Sequence, residues 1–249
     1  MLLVVFGAGA SFDSASALRP DQTSATWRPP LANQLFELRR FGGYISQFPK
    51  CAPLITHLQS SEVNVERVLE KYQNEANGDP ERLRQLAAVR FYLQTMLSEL
   101  VVAWKGETSG VTNYKTLLDQ IRHERKQDAK VCLATFNYDN LLEDALSVVN
   151  VRIGSMPDYV TGDYQIVKLH GSINWFHEVL NFHSVAGQHP TQTIAQLIET
   201  APKLIFKGYQ ITPSVSLLQQ STNVALFPAL SIPVENKPGY ECPQSTFRS

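Results

Sequence analysis

Three short polar motifs in this chain hold residue types that can do chemistry together. They are Gly7-Ala-Gly-Ala-Ser11, Thr135-Phe-Asn-Tyr-Asp139 and His170-Gly-Ser172. Two glycines one residue apart, straight after an apolar run, are how open α/β folds bring bare backbone against a pyrophosphate. Gly7 would make the tight turn and Gly9 would leave room beside the main chain. Phe12 stands where a full GxGxxG motif has its third glycine. Asn137 carries an acceptor and a donor on one amide, so it can hold a water or a hydroxyl in line. It can also simply cap the helix that follows. His170 titrates near neutrality and can take a proton, although a turn histidine before Gly171 is the plainer alternative. Asp139 equally suits the positive end of a helix.

Each motif follows a predicted strand. Leu2 to Phe6 is a short apolar run with no polar face. Residues 130–136 and 164–169 are runs of similar length. Such runs are the mark of strands in a parallel sheet buried on both faces. Ligands of open α/β sheets lie beyond the carboxyl ends of the strands, at a topological switch point. The three motifs are therefore expected to meet in one crevice. The predicted fold class is α/β, a Rossmann-like open parallel sheet in a single domain spanning residues 1–249.

Between the first two strands the pattern is helical. Residues 13–30, rich in Ser, Ala, Thr and Pro, read as a long loop over the glycine turn, a place where lids are found. Residues 31–38 read as a short helix introduced by Pro29 and Pro30. The stretch 62–125 predicts a helical insertion of three helices, broken at Asn77-Gly-Asp-Pro80 and again before residue 112. Its charges read as a solvated face and Trp104 as core or interface packing. A helix opens near Asn137, and 203–206 and 224–232 are further candidate strands. His177, His183 and His189 fall in a loop-like region and read as surface, with Trp175 and Phe176 as pocket wall or core.

Composition narrows the classes. At 249 residues, 43% hydrophobic and 18% charged, the chain is an ordinary globular α/β domain in size and make-up. A net charge of −1 gives no support to a basic nucleic-acid surface, although a neutral total leaves room for a local patch. Cys51, Cys132 and Cys242 are too far apart in sequence for a C-x-x-C pair, which argues against a zinc site and against a disulfide framework and suits a reducing cytoplasm. The opening strand is too short for a membrane span or a signal peptide, so no targeting extension is expected. The tail 241–249 closes on no strand or helix, which suggests a fragment of something longer.

The order GAGAS, TFNYD, LHGS, each at a strand end, resembles the sirtuin superfamily of NAD-consuming proteins. It is most similar to the zinc-free sirtuin-like domains of prokaryotic anti-phage defence systems. The resemblance is carried by residues 1–11 and 131–175, with support from 29–36 and 232–237. It implies that Gly7, Ala8, Gly9 and Ser11 cradle the phosphates of NAD, the substrate. It further implies that Asn137 binds the ribose and positions the attacking group, that His170 is the general base, and that Asp139 sits beside the nicotinamide. Thr135, Gly171 and Ser172 complete the implied binding set. Sirtuin deacylases carry a four-cysteine zinc module and a Gly-Ile-Pro-Asp-Phe-Arg-like loop. This chain has neither, with Phe12-Asp-Ser14 in the loop's place.

The expected activity is thus NAD⁺ hydrolysis to nicotinamide and ADP-ribose, with no metal. Deacylation or ADP-ribosyl transfer is the enzymatic alternative, and a non-catalytic NAD or ADP-ribose sensor is the other. Such a hydrolase would deplete the NAD of its own cell. The resemblance therefore implies restraint through a homo-oligomer or a sensing partner such as a helicase-like ATPase, with the helical stretch 62–125 as the contact or lid.

Overall fold

A computed structural model describes residues 1–15, 27–60, 64–126, 129–182, 188–212 and 225–235. Most of the proline-rich loop, His183, Cys242 and the tail from residue 236 lie outside that set. Strand β1 (Leu2–Phe6) runs into a one-turn helix α1 (Ala8–Phe12). Among the described residues six α-helices precede β2 (Val131–Thr135), α1 included: α2 (Leu38–Ile45), α3 (Ala52–Ser60), α4 (Val65–Glu75), α5 (Pro80–Glu107) and α6 (Asn113–Glu124) follow it in order. After β2 come α7 (Leu141–Ala145), β3 (Tyr164–Lys168), β4 (Gly171–Val179), α8 (Pro190–Thr200), β5 (Phe206–Ile211) and β6 (Leu226–Leu230). The chain is therefore α/β, with an open parallel sheet ordered β1-β2-β3. A second, antiparallel sheet is ordered β5-β4-β6.

Register does the work of gathering the motifs. Phe6 pairs with Thr135, and Thr135 with Lys168. All three strands thus end at one edge, where Gly7, Asn137 and His170 emerge. The order runs without reversal, so the described strands contain no switch point, contrary to expectation. Parallel alignment alone is sufficient.

Helix α5 is the axis of the core. Asp79 caps it, its Oδ1 accepting from the N–H groups of Glu81 at 2.8 Å and Arg82 at 3.3 Å, and Pro80 occupies the first turn. By length and composition it could cross a membrane, but 78% of its apolar window is buried inside this protein. It packs on α2, α4, α8, β4 and β6. Gln94 Nε2 donates to the carbonyl of Ile173 and Arg90 Nε to that of Leu230. Trp104 is fully buried, as its sequence context predicts. The stretch 64–125 is thus three helices, and α5 is buried along most of its length.

Several expectations need correction. Leu3 and Val5 of β1 are 57% and 58% exposed, so the apolar run is not buried on both faces. Residues 31–38 form only a short 3-10 turn, Ala32–Gln34, because the Gln34 side chain accepts from the Leu31 N–H and closes it. Helix α2 starts where that helix was expected to end. Of residues 203–206 only Phe206 is strand: Lys203 ends a short 3-10 helix, and β5 begins at Phe206. The region of His177 is the strand β4: its Nδ1 lies 3.0 Å from the Gly208 carbonyl oxygen, and its ring lies against Tyr209. His189 caps α8. Trp175 and Phe176 are core. Gly171, at φ +77°, allows the chain to turn from one sheet into the other within three residues of β3.

Candidate functional site

The motif 135–139 is held by its own side chains. Thr135 Oγ1 accepts the N–H of Asn137 at 3.1 Å. Asp139 Oδ1 accepts the N–H of Leu141 at 3.1 Å and so caps α7, while Asn140 occupies the N-cap position. The side-chain cap is supplied by Asp139, because Asn140 makes no cap hydrogen bond at its position, and the Asn137 amide is bonded elsewhere.

Beneath the turn lies a buried ion pair. Lys168 is 0% exposed, and its Nζ donates to Glu143 Oε1 at 2.8 Å and to the carbonyl of Asp139. Tyr159 donates to the same carboxylate oxygen and accepts from Trp175 Nε1. Burial pushes the Glu143 carboxyl up, and the neighbouring ammonium opposes that shift. This polar chain ties β3, β4 and α7 together directly behind the site.

Asn137 is 6% exposed. Its Nδ2 lies 2.9 Å from the Gly7 carbonyl oxygen, 2.9 Å from Ser11 Oγ and 3.1 Å from Tyr114 Oη. A carbonyl can only accept, so the amide nitrogen must face Gly7 and the orientation is fixed. Ser11 Oγ and Tyr114 Oη are themselves 2.9 Å apart. Burial pushes the Tyr114 phenol well above its ordinary value, so it stays protonated. The nitrogen is consumed by the protein. What Asn137 can offer a bound molecule is Oδ1, an acceptor, and not the acceptor-plus-donor pair its chemistry allows in general.

A cavity of about 230 Å³ opens at this edge, lined in part by Ala8, Ser11, Asn137, Asp139, His170 and Glu66. Phe136, Tyr138, Pro29, Pro30 and Val234 contribute apolar wall. The His170 ring lies edge-on to Phe136 at 5.2 Å and tilted on Tyr138 at 5.8 Å, while its carbonyl accepts from the Ser231 N–H. The three motifs do meet. Five of the ten residues singled out from the sequence line the cavity, and the other five stand behind or beside it. Gly7 holds Asn137 through its carbonyl and Thr135 through its hydroxyl. Gly171 makes the turn, and Ser172, fully buried, donates to the Tyr138 carbonyl at 3.3 Å. A Cβ added at Gly7 or Gly9 would meet nothing within 4 Å. Neither glycine is required by a positive φ or by a protein neighbour, so the space beside them is open to something else.

Tyr114 and Glu66 were not singled out from the sequence. Tyr114 sits on the buried face of α6, 23 residues before Asn137, and only its hydroxyl distinguishes it from a core phenylalanine. Compared with protein-family models and with curated proteins, the chain matches none.

Proposed function

We propose that this chain is an NAD⁺ hydrolase with a Rossmann-like nucleotide site, releasing nicotinamide and ADP-ribose. The observation that carries the reading is the closure of the Gly7–Ser11, Asn137–Asp139 and His170 motifs on one cavity, with Asn137 immobilised and its acceptor oxygen left over. At about 230 Å³ the cavity is smaller than the roughly 300–1,000 Å³ of a site for a whole drug-sized ligand. It suits the nicotinamide–ribose half, with the phosphates beside the open backbone of Gly7 and Gly9.

In the reaction the bond between the nicotinamide nitrogen and the ribose C1′ breaks, and its electron pair leaves with the ring as neutral nicotinamide. The sugar passes through an oxocarbenium-like state, as in glycoside cleavage. Water adds its oxygen to C1′ and gives a proton to His170, a step worth typically ~10²–10⁴ in rate. Asn137 Oδ1 accepts from the water or from a ribose hydroxyl and so fixes the line of attack. Asp139 lies on the nicotinamide side. Depletion of cellular NAD in anti-phage defence, in the cytoplasm and under control of self-assembly or of a sensing partner, is the biological role consistent with this chemistry.

The test is turnover by Asn137→Ala, which should be lost while the fold is retained. Activity that a chelator abolishes would contradict the metal-free scheme. Label from NAD⁺ retained on a protein acceptor would assign transfer instead of hydrolysis.

A further inference from the structure

We propose that Glu66 sets the charge preference of the cavity, so that it takes the cationic, oxidised nicotinamide ring and discriminates against the neutral, reduced one. This rests on the dinucleotide reading given above. Glu66 lies in the first turn of α4, where its N–H donates to Asn64 Oδ1 at 2.9 Å. A carboxylate at that position is often no more than a good partner for the helix dipole. Here its surroundings say more. Val65, Val68 and Leu69 are buried in the core, and Arg67 is held by Glu235 at 2.7 Å. Glu66 is half-buried and lines the cavity with Asn137, Asp139 and His170. Its carboxylate makes no hydrogen bond or ion pair among the described residues.

The charge on the described lining residues is one-sided. No Lys or Arg is among the described lining residues. The buried Lys168 is matched by Glu143, and Arg67 by Glu235. Asp139 commits one oxygen to the Leu141 N–H. Two carboxylates therefore face a partly enclosed space in which their field is screened less than in water. The oxidised nicotinamide ring carries a formal positive charge, and that charge moves to the sugar as the bond to C1′ breaks. The reduced ring is neutral and gains nothing from the field. Glu66 thus acts on selection of the substrate and on the charge that develops in it, without contributing a proton or a nucleophile.

The experiment is calorimetric binding of NAD⁺ and NADH to the full chain, in a His170→Ala background so that the ligand is not turned over. The parent should bind NAD⁺ at least about tenfold more tightly than NADH. Glu66→Gln should bring the two affinities together by weakening NAD⁺ alone, and Glu66→Asp should keep most of the preference. A fold defect would weaken both ligands alike, and the ratio separates it from loss of charge. If Glu66→Gln leaves the ratio unchanged, the charge preference is overturned while the dinucleotide reading stands. If the parent binds neither ligand, both fall.

Discussion

Tyr114→Phe removes one oxygen atom and nothing else. The ring is 3% exposed and packs edge-on against Phe6 at 5.3 Å, and phenylalanine keeps that contact. Lost are the contacts of Oη with Ser11 Oγ at 2.9 Å and Asn137 Nδ2 at 3.1 Å. A neutral hydrogen bond contributes a net ~0.5–1.5 kcal/mol. Because Ser11 and the Gly7 carbonyl still take both amide protons of Asn137, nothing is orphaned and the total cost should be about 1 kcal/mol. At this chain length that is a fall in Tm of about 2–4 °C. The effect on turnover should be larger. Tyr114 does not line the cavity, so KM should stay within about twofold, but Asn137 loses one of its three anchors. Displacements of ~1 Å at a positioned group can cost ~10²-fold, and kcat should fall about 10- to 100-fold. Steady-state kinetics of nicotinamide release give both constants. Ser11→Ala should likewise lower kcat, and the double variant should lower it by less than the sum, since both hydroxyls act on one amide. An unchanged kcat in Tyr114→Phe would refute the claim that Tyr114 holds Asn137.

Three further outcomes follow from the same geometry. Gly9→Ala meets no protein atom within 4 Å and sits inside α1, so stability should hold or rise by ~0.5–1 kcal/mol; NAD⁺ binding should weaken by about tenfold or more, and unaltered binding would remove the dinucleotide from the glycine turn. Lys168→Met leaves the Glu143 carboxylate buried without its cation and should cost about 3–5 kcal/mol, a Tm loss of roughly 6–20 °C. Adding Glu143→Gln should restore part of it, and a Lys168→Met protein as stable as its parent would contradict the buried pair. Burial raises the phenols of Tyr92, Tyr114, Tyr138 and Tyr159 above their ordinary value of 10.0. The folded state then holds these protons more tightly than the unfolded chain. Stability is full below pH 10 and lost as the pH rises through it, at ~1.4 kcal/mol per pH unit for each tyrosine. Urea midpoints measured from pH 8 to 11 should be flat at first and then fall, and a flat profile throughout would be inconsistent with these burials.

The strands of the parallel sheet were legible because an apolar run ending in Gly, Asn or His has few other readings. Their common edge follows from parallel pairing, which is why separate motifs could be expected to meet. Helix α5 was visible from its periodicity, but its place was not. A helix buried nearly all round shows in its sequence only as a long apolar segment. Strand β4 was hidden because Ser172 and Asn174 are buried with Ile173 and Trp175, which erases the alternation of a half-exposed strand. The exposure of Leu3 and Val5 depends on what packs against one sheet face, and no local pattern encodes that. Asn137 could be a cap or a site residue on sequence alone. In the structure Asp139 makes the side-chain cap, and the Asn137 amide bonds to Gly7 and Ser11 instead. The roles of Tyr114 and Lys168 were illegible for a different reason. Each is defined by partners 23 to 103 residues away, and the side chains alone read as core tyrosine and strand lysine.

The central claim is tested most directly by nicotinamide release from NAD⁺ by the purified chain, beside His170→Ala. The account predicts release by the parent and its loss in a variant that melts at the parent's temperature. Release that continues undiminished in His170→Ala would contradict it.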